Sequence, residues 1–129
     1  METVKVTIDW CNRNYSAFIG EKIGGVVIIT DKSLENLKKK LRGAVDAHIE
    51  DLGEDAAEWL RSGDYTFEYE FTMSATLQNA LNYTTLAAIS RITGIRHAQL
   101  SHYANAVSRP KQQQCDKIIS GLHTIGNAC

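Results

Sequence analysis

Alternation of apolar and polar residues with a period of two runs through the first part of this chain. Val4-Lys5-Val6-Thr7-Ile8-Asp9 predicts a strand with one buried face. Asn12-Arg13-Asn14 is turn material, and Tyr15 to Ile19 predicts a second strand. Gly24-Gly25 leads into Val26–Thr30, a run apolar on both faces, which predicts a third strand inside the sheet. The three segments read as a meander. Ser33 is a helix N-cap, with Glu35 in the first turn where the helix dipole favours an acid. Leu34, Leu37, Leu41, Val45, Ile49 and Leu52 follow at spacings of three and four, so one stripe of this helix faces the sheet. Gly53 ends it. Residues 54–61 add a short helical turn with Trp59 and Leu60 inward, and Tyr65 to Phe71 alternates again as a last strand. Three strands, a helix and a strand make an α+β lobe with its helix on one face.

From Ser74 the period changes to about 3.6. Ser74 to Leu81 predicts one helix, and Thr84 or Thr85 caps a second that runs to about Thr93. Gly94-Ile95 is a tight turn, His97 to Ala104 a third helix, and Gln112 to about Ile125 a fourth. Leu77, Leu81, Leu86, Ile89, Ile95, Leu100, Tyr103, Ile118, Ile119, Leu122 and Ile125 are its expected core. No Gly-, Pro- or Ser-rich linker marks a boundary. The division into residues 1–72 and an all-α domain over 74–129 rests on the change of period.

Composition adds little until it is split. The 43% hydrophobic and 22% charged content suits one soluble globular chain of 129 residues. Residues 1–73 hold 9 Lys/Arg against 14 Asp/Glu, whereas residues 74–129 hold 5 against 1. The offset suits nucleic acid for the second part and a basic partner for the first. No signal peptide is apparent, and the longest apolar stretch, Val26 to Ile29, is far too short to span a membrane. Cys11, Cys115 and Cys129 are odd in number and widely spaced, which points to a reducing, cytoplasmic compartment, with Cys129 on a frayed end. No cofactor and no metal site is expected.

The stretch from Leu86 to Tyr103 carries the chemistry. A helix-turn-helix needs a small residue where its helices approach, supplied by Ser90, and a turn residue tolerant of left-handed dihedrals, supplied by Gly94. Ile95 and Leu100 are its apolar plugs. Arg96, His97, Ala98, Gln99, Ser101 and His102 remain as candidate DNA-contacting positions, joined by Arg109 and Lys111 beyond the third helix. His97 and Gln99 suit base edges, Arg109 and Lys111 suit phosphates, and His102 suits either or solvent.

Ser90-x-x-x-Gly94-Ile95, then Leu100, Tyr103 and Arg109-Pro110, resembles the Cro/lambda-repressor (Xre) type of helix-turn-helix over about residues 75–126. Such domains usually have glycine after the recognition helix. Here Asn105-Ala106 stands there, with Asn105 expected to take the left-handed turn. Nearly the whole chain is similar to the HicB antitoxins of bacterial type II toxin–antitoxin pairs. The Val-x-Ile-Asp-Trp first strand, Tyr15-Ser16-Ala17, Ser33-Leu34-x-x-Leu37, Ala47-His48-Ile49-Glu50 and Phe67 to Phe71 carry that match, in this order. The resemblance implies an N-terminal lobe of partly degraded ribonuclease-H-like fold that blocks a HicA-type mRNA-cleaving toxin. It also implies a C-terminal domain that represses the pair's own operon at a palindromic operator, as a homodimer or larger homo-oligomer. Toxin-contacting residues are not assigned.

Plainer readings stand beside these. A stand-alone regulator with a ligand-sensing or dimerising lobe has the same elements. A metal-dependent nuclease would use Asp9, but several carboxylates must converge on its ions, and Glu68 and Glu70 point outward, so Asp9 reads as structural. His48 reads as a half-buried histidine with a hydrogen-bond partner, and Lys38-Lys39-Lys40 as a solvated face.

Overall fold

The computed structural model describes residues 1–128 and all of their side chains but those of Glu21, Asn127 and Ala128. Cys129, expected on a frayed end, lies outside the described residues. The fold is α+β, a four-stranded mixed sheet and six helices, and its contacts fall into two compact units that part between Thr72 and Met73.

In the first unit β1 (Glu2–Cys11) and β2 (Asn14–Ile19) form an antiparallel hairpin in which Cys11 pairs with Asn14. Asn12 and Arg13 both take positive φ, 53° and 64°, as a two-residue turn matched to the strand twist requires. β3 (Val27–Asp31) pairs antiparallel with β2, and β4 (Tyr65–Phe71) pairs parallel with β1, giving the order β3-β2-β1-β4. Val4, Val6 and Ile8 of β1 and Tyr15, Ala17 and Ile19 of β2 face inward and are buried. Against them lies α1 (Leu34–Leu52) through Leu37, Leu41 and Val45. Ser33 caps α1 by accepting from the Asn36 N–H at 3.3 Å, and Gly53 ends it at φ 56°. The short α2 (Glu58–Arg61) adds buried Leu60, while Trp59 is half-buried edge-on to Tyr65. His48 hydrogen-bonds the Ile23 carbonyl through Nε2 at 3.0 Å.

One expectation for this unit is overturned. β3 is an edge strand, not an interior one, and Val26 and Ile28 are 53% and 62% exposed. Helix covers one face of this sheet, so the outward half of an apolar strand stays open, with Phe18 beside it at 42%. The lysine run is the exposed face expected, and each ammonium has a neighbour. Lys38 Nζ lies 4.6 Å from the Tyr69 ring centroid, Lys39 pairs with Glu35, and Lys40 pairs with Asp31 at 2.6 Å.

The second unit is helical: α3 (Met73–Ala80), α4 (Leu86–Thr93), α5 (His97–Ala104) and α6 (Gln112–Ala128). Leu77, Ala80, Ile89, Ile95, Leu100, Tyr103, Ala104, Ile118 and Leu122 form its core, with Met73, Leu86 and Ile125 packed against it. Leu81 and Ile119, expected in that core, are 39% and 40% exposed. Leu81 stands just past the end of α3. Ile119 is turned about 100° from Ile118 around α6, away from the packed stripe. No helix of the described residues is long and apolar enough to cross a membrane.

Candidate nucleic-acid interface

The turn between α4 and α5 is built by short polar side chains. Thr85 caps α4 by accepting from the Ala88 N–H at 3.1 Å. Gly94 closes it at φ 75°, and its N–H donates to the Ser90 carbonyl at 2.9 Å. Ser90 Oγ donates to the Ile95 carbonyl at 2.6 Å, so this small residue ties the turn as well as leaving room for α5. Thr93 Oγ1 donates to the Ile89 carbonyl and accepts from the Ile95 N–H. Across α4, a Cβ on Gly121 would come within 2.7 Å of Thr93 Cγ2, so glycine there lets α6 approach.

The far end of α5 is clamped from α3. Buried Ser74 donates to the Tyr103 carbonyl at 2.7 Å, and Gln78 Nε2 donates to the Ala104 carbonyl at 2.8 Å. These bonds satisfy two of the carbonyls that a helix C-terminus leaves without partners. The left-handed turn after α5 falls one residue later than expected. Ala106 takes φ 60°, while Asn105 stays at φ −97° and spends its amide on the Ser101 carbonyl at 2.9 Å. The Asn105 N–H also donates to the Ser101 carbonyl at 3.0 Å, so Asn105 continues the helical pattern and the left-handed dihedral falls on Ala106.

With both ends held, α5 presents two faces. His97, Ala98 and His102 are exposed and Ser101 half-exposed, and these four lie within about 140° of one another around the helix axis. Arg96, Gln99 and Tyr103 lie on another side, along a cleft of about 470 Å³. That cleft is further lined by Gly94, Ile95, Arg109, Lys111, Gln114 and Lys117. The eight candidate residues therefore divide: Arg96, Gln99, Arg109 and Lys111 meet on the cleft, and His97, Ala98, Ser101 and His102 lie outside it. Gln99 reaches across to Ser108 Oγ at 3.4 Å. Lys117 and Gln114 were missed, because their α6 positions carry no sequence signal beyond being polar.

No carboxylate lines this cleft, and among the described residues none of its four cations makes an ion pair. Asp116, the one acid after residue 73, accepts from Gln112 Nε2 at 2.9 Å and lines a neighbouring groove that Lys117 also borders. Uncompensated cations on three segments attract a polyanion over roughly a Debye length, ~8 Å at physiological salt.

In the first unit the carboxylates do not gather. Asp9 Oδ1 accepts from the Trp10 N–H at 2.8 Å and from Thr72 Oγ1 at 2.7 Å, holding the sheet end, and Glu70 pairs with Lys5. Among the described residues no group of three or more His, Cys, Asp or Glu could hold a metal ion. The acids that stand out are Asp46, Glu50, Asp51, Glu54, Asp55 and Glu58, all exposed, in a stretch without Lys or Arg from Gly43 to Leu60.

Compared with protein-family models, curated proteins and solved structures, the chain matches none.

Proposed function

We propose that this chain is a cytoplasmic, non-enzymatic antitoxin and autorepressor of the HicB kind, binding operator DNA with its C-terminal unit and a small basic toxin with its N-terminal one. The observation that carries the reading is the cleft: four cations with no ion pair among the described residues beside an exposed α5 face, in a unit with a single Asp or Glu. On this reading α4, the Gly94 turn and α5 are a helix-turn-helix, and α5 enters the major groove. His97, Ala98, Ser101 and His102 face base edges there, and the cleft cations meet the backbone. Two copies would set recognition helices about 34 Å apart, on half-sites centred roughly ten base pairs apart. The exposed acids between Asp46 and Glu58 supply the field that draws a basic HicA-type nuclease.

Two experiments test this. Co-purification with the product of the adjacent small reading frame is expected to yield a complex that silences its RNA cleavage. Anisotropy on the duplex upstream of the gene is expected to show specific, salt-sensitive binding. A cleaving neighbour that this chain neither binds nor silences ends the antitoxin half. A second reading, a stand-alone regulator with a ligand-sensing lobe, is favoured by a groove of about 450 Å³ on the sheet, lined by Thr3, Lys5, Phe18, Gly20 and Lys22 among others. A harmless neighbour together with operator binding selects it.

A further inference from the structure

We infer that the cleft bordered by α5, the 105–111 segment and α6 is a phosphate seat, in which Lys117 is a binding cation and Gln99 a backbone-side donor rather than a base reader. This deepens the DNA reading and rests on it for the source of the phosphate, though not for the phosphate chemistry.

Three separate segments supply the charge. Arg96 precedes α5, Arg109 and Lys111 precede α6, and Lys117 stands within α6. All four side chains are exposed and no carboxylate lines the cleft; Lys117 also borders the groove that Asp116 lines, without an ion pair to it among the described residues. Four cations around one cleft exceed what a single carboxylate balances. They suit phosphate oxygens, which guanidinium groups grip bidentately and ammonium groups hold as point charges.

Neutral donors complete the seat. Gln99 lies on the cleft side of α5, away from the face that carries His97, Ala98, Ser101 and His102, and its amide reaches Ser108. A side chain turned to that side cannot read the base edges that face would meet, but its NH₂ can donate to a phosphate oxygen. Gln114 Oε1 is buried in the cleft wall with no partner. A half-turn of that amide exchanges the acceptor for a donor.

The full-length protein serves for the test, with sodium pyrophosphate as the free probe and two duplexes, the gene's upstream region and a random sequence. Pyrophosphate is expected to shift the amide resonances of residues 94–99 and 109–117, with Lys117→Gln weakening that binding about tenfold and Lys117→Arg restoring it. On DNA, Lys117→Gln is expected to take about one unit from the slope of log affinity against log salt. Gln99→Ala is expected to weaken both duplexes by the same factor. Amide shifts spread over the surface, or unchanged by Lys117→Gln, would overturn the seat. A Gln99→Ala loss confined to the upstream duplex would return that residue to a base edge and overturn its assignment. Pyrophosphate binding without binding of either duplex supports a seat for free phosphate, and the DNA reading alone then fails.

Discussion

The two units handle charge in opposite ways. In the sheet unit six of the nine Lys and Arg are tied down: Lys5 to Glu70, Lys22 to Glu2, Lys39 to Glu35 and Lys40 to Asp31, with Lys38 and Arg42 over the Tyr69 and Tyr65 rings. The surplus left over is acidic, with six exposed acids and no Lys or Arg along the chain from Asp46 to Glu58. In the helical unit Arg96, Arg109, Lys111 and Lys117 have no ion pair among the described residues. Exposed ion pairs contribute little stability, at most about 1 kcal/mol each, so pairing matters less for holding a unit together than for deciding what field it shows a partner. Net charge alone, −1 for the chain, hides this difference entirely.

The largest expected effect tests whether the units melt separately. Leu100 is fully buried in the helical core, and Leu100→Ala is expected to cost about 3 kcal/mol there. Leu41→Ala is expected to do the same to the sheet unit. Calorimetry should show each variant lowering one transition and sparing the other; a joint shift of both would mean the cores are coupled.

Next comes the field itself. If all four cleft cations meet phosphates, raising salt from 50 to 200 mM should weaken DNA binding on the order of 10²-fold. Affinity that ignores salt would remove the cleft from the interface.

Smaller effects sharpen the backbone contrast. Both units place a residue in the left-handed region, Gly53 at the end of α1 and Ala106 after α5. Ala106→Gly should raise the stability of the helical unit by about 0.5–1 kcal/mol, whereas Gly53→Ala should lower that of the sheet unit by about 1 kcal/mol. Denaturant midpoints decide this, and opposite signs are the expected result.

The smallest concerns Asp31. Its carboxyl is held below the ordinary range by the hydrogen bond from Lys40 and by the Ser33 N–H. A lowered folded pKa means a contribution that is complete above the ordinary carboxylate value and lost as pH falls through the lowered one. Asp31→Asn should therefore flatten the loss of sheet-unit Tm below about pH 4 and leave the helical unit's pH response unchanged.

Much of the framework was legible from short-range signals. Tyr65–Phe71 alternates and is a strand, Ser33 and Gly53 bracket α1, and Gly94 closes α4, because caps and left-handed turns are decided by a few neighbouring residues. The misreadings lie where neighbours in space decide. β3 looks interior because an apolar run shows neither how many strands flank it nor whether a second layer covers it. Asn105 was the better left-handed residue by type, yet its amide bonds Ser101, and Ala106 takes the turn. Of the cleft, Arg96, Gln99, Arg109 and Lys111 were found through their nearness to one motif. Lys117 and Gln114 were not, because only the packing of α6 brings them there.

Periodicity and composition within short windows set the elements, the caps at Ser33, Gly53 and Gly94, and the split between an acidic and a basic part. Tertiary structure alone decided which of α5's polar side chains share a cleft, which cations are neutralised and which sheet edge is open. Those properties belong to pairs of residues brought together by packing, and a pair distant along the chain leaves no mark on the local pattern of either member.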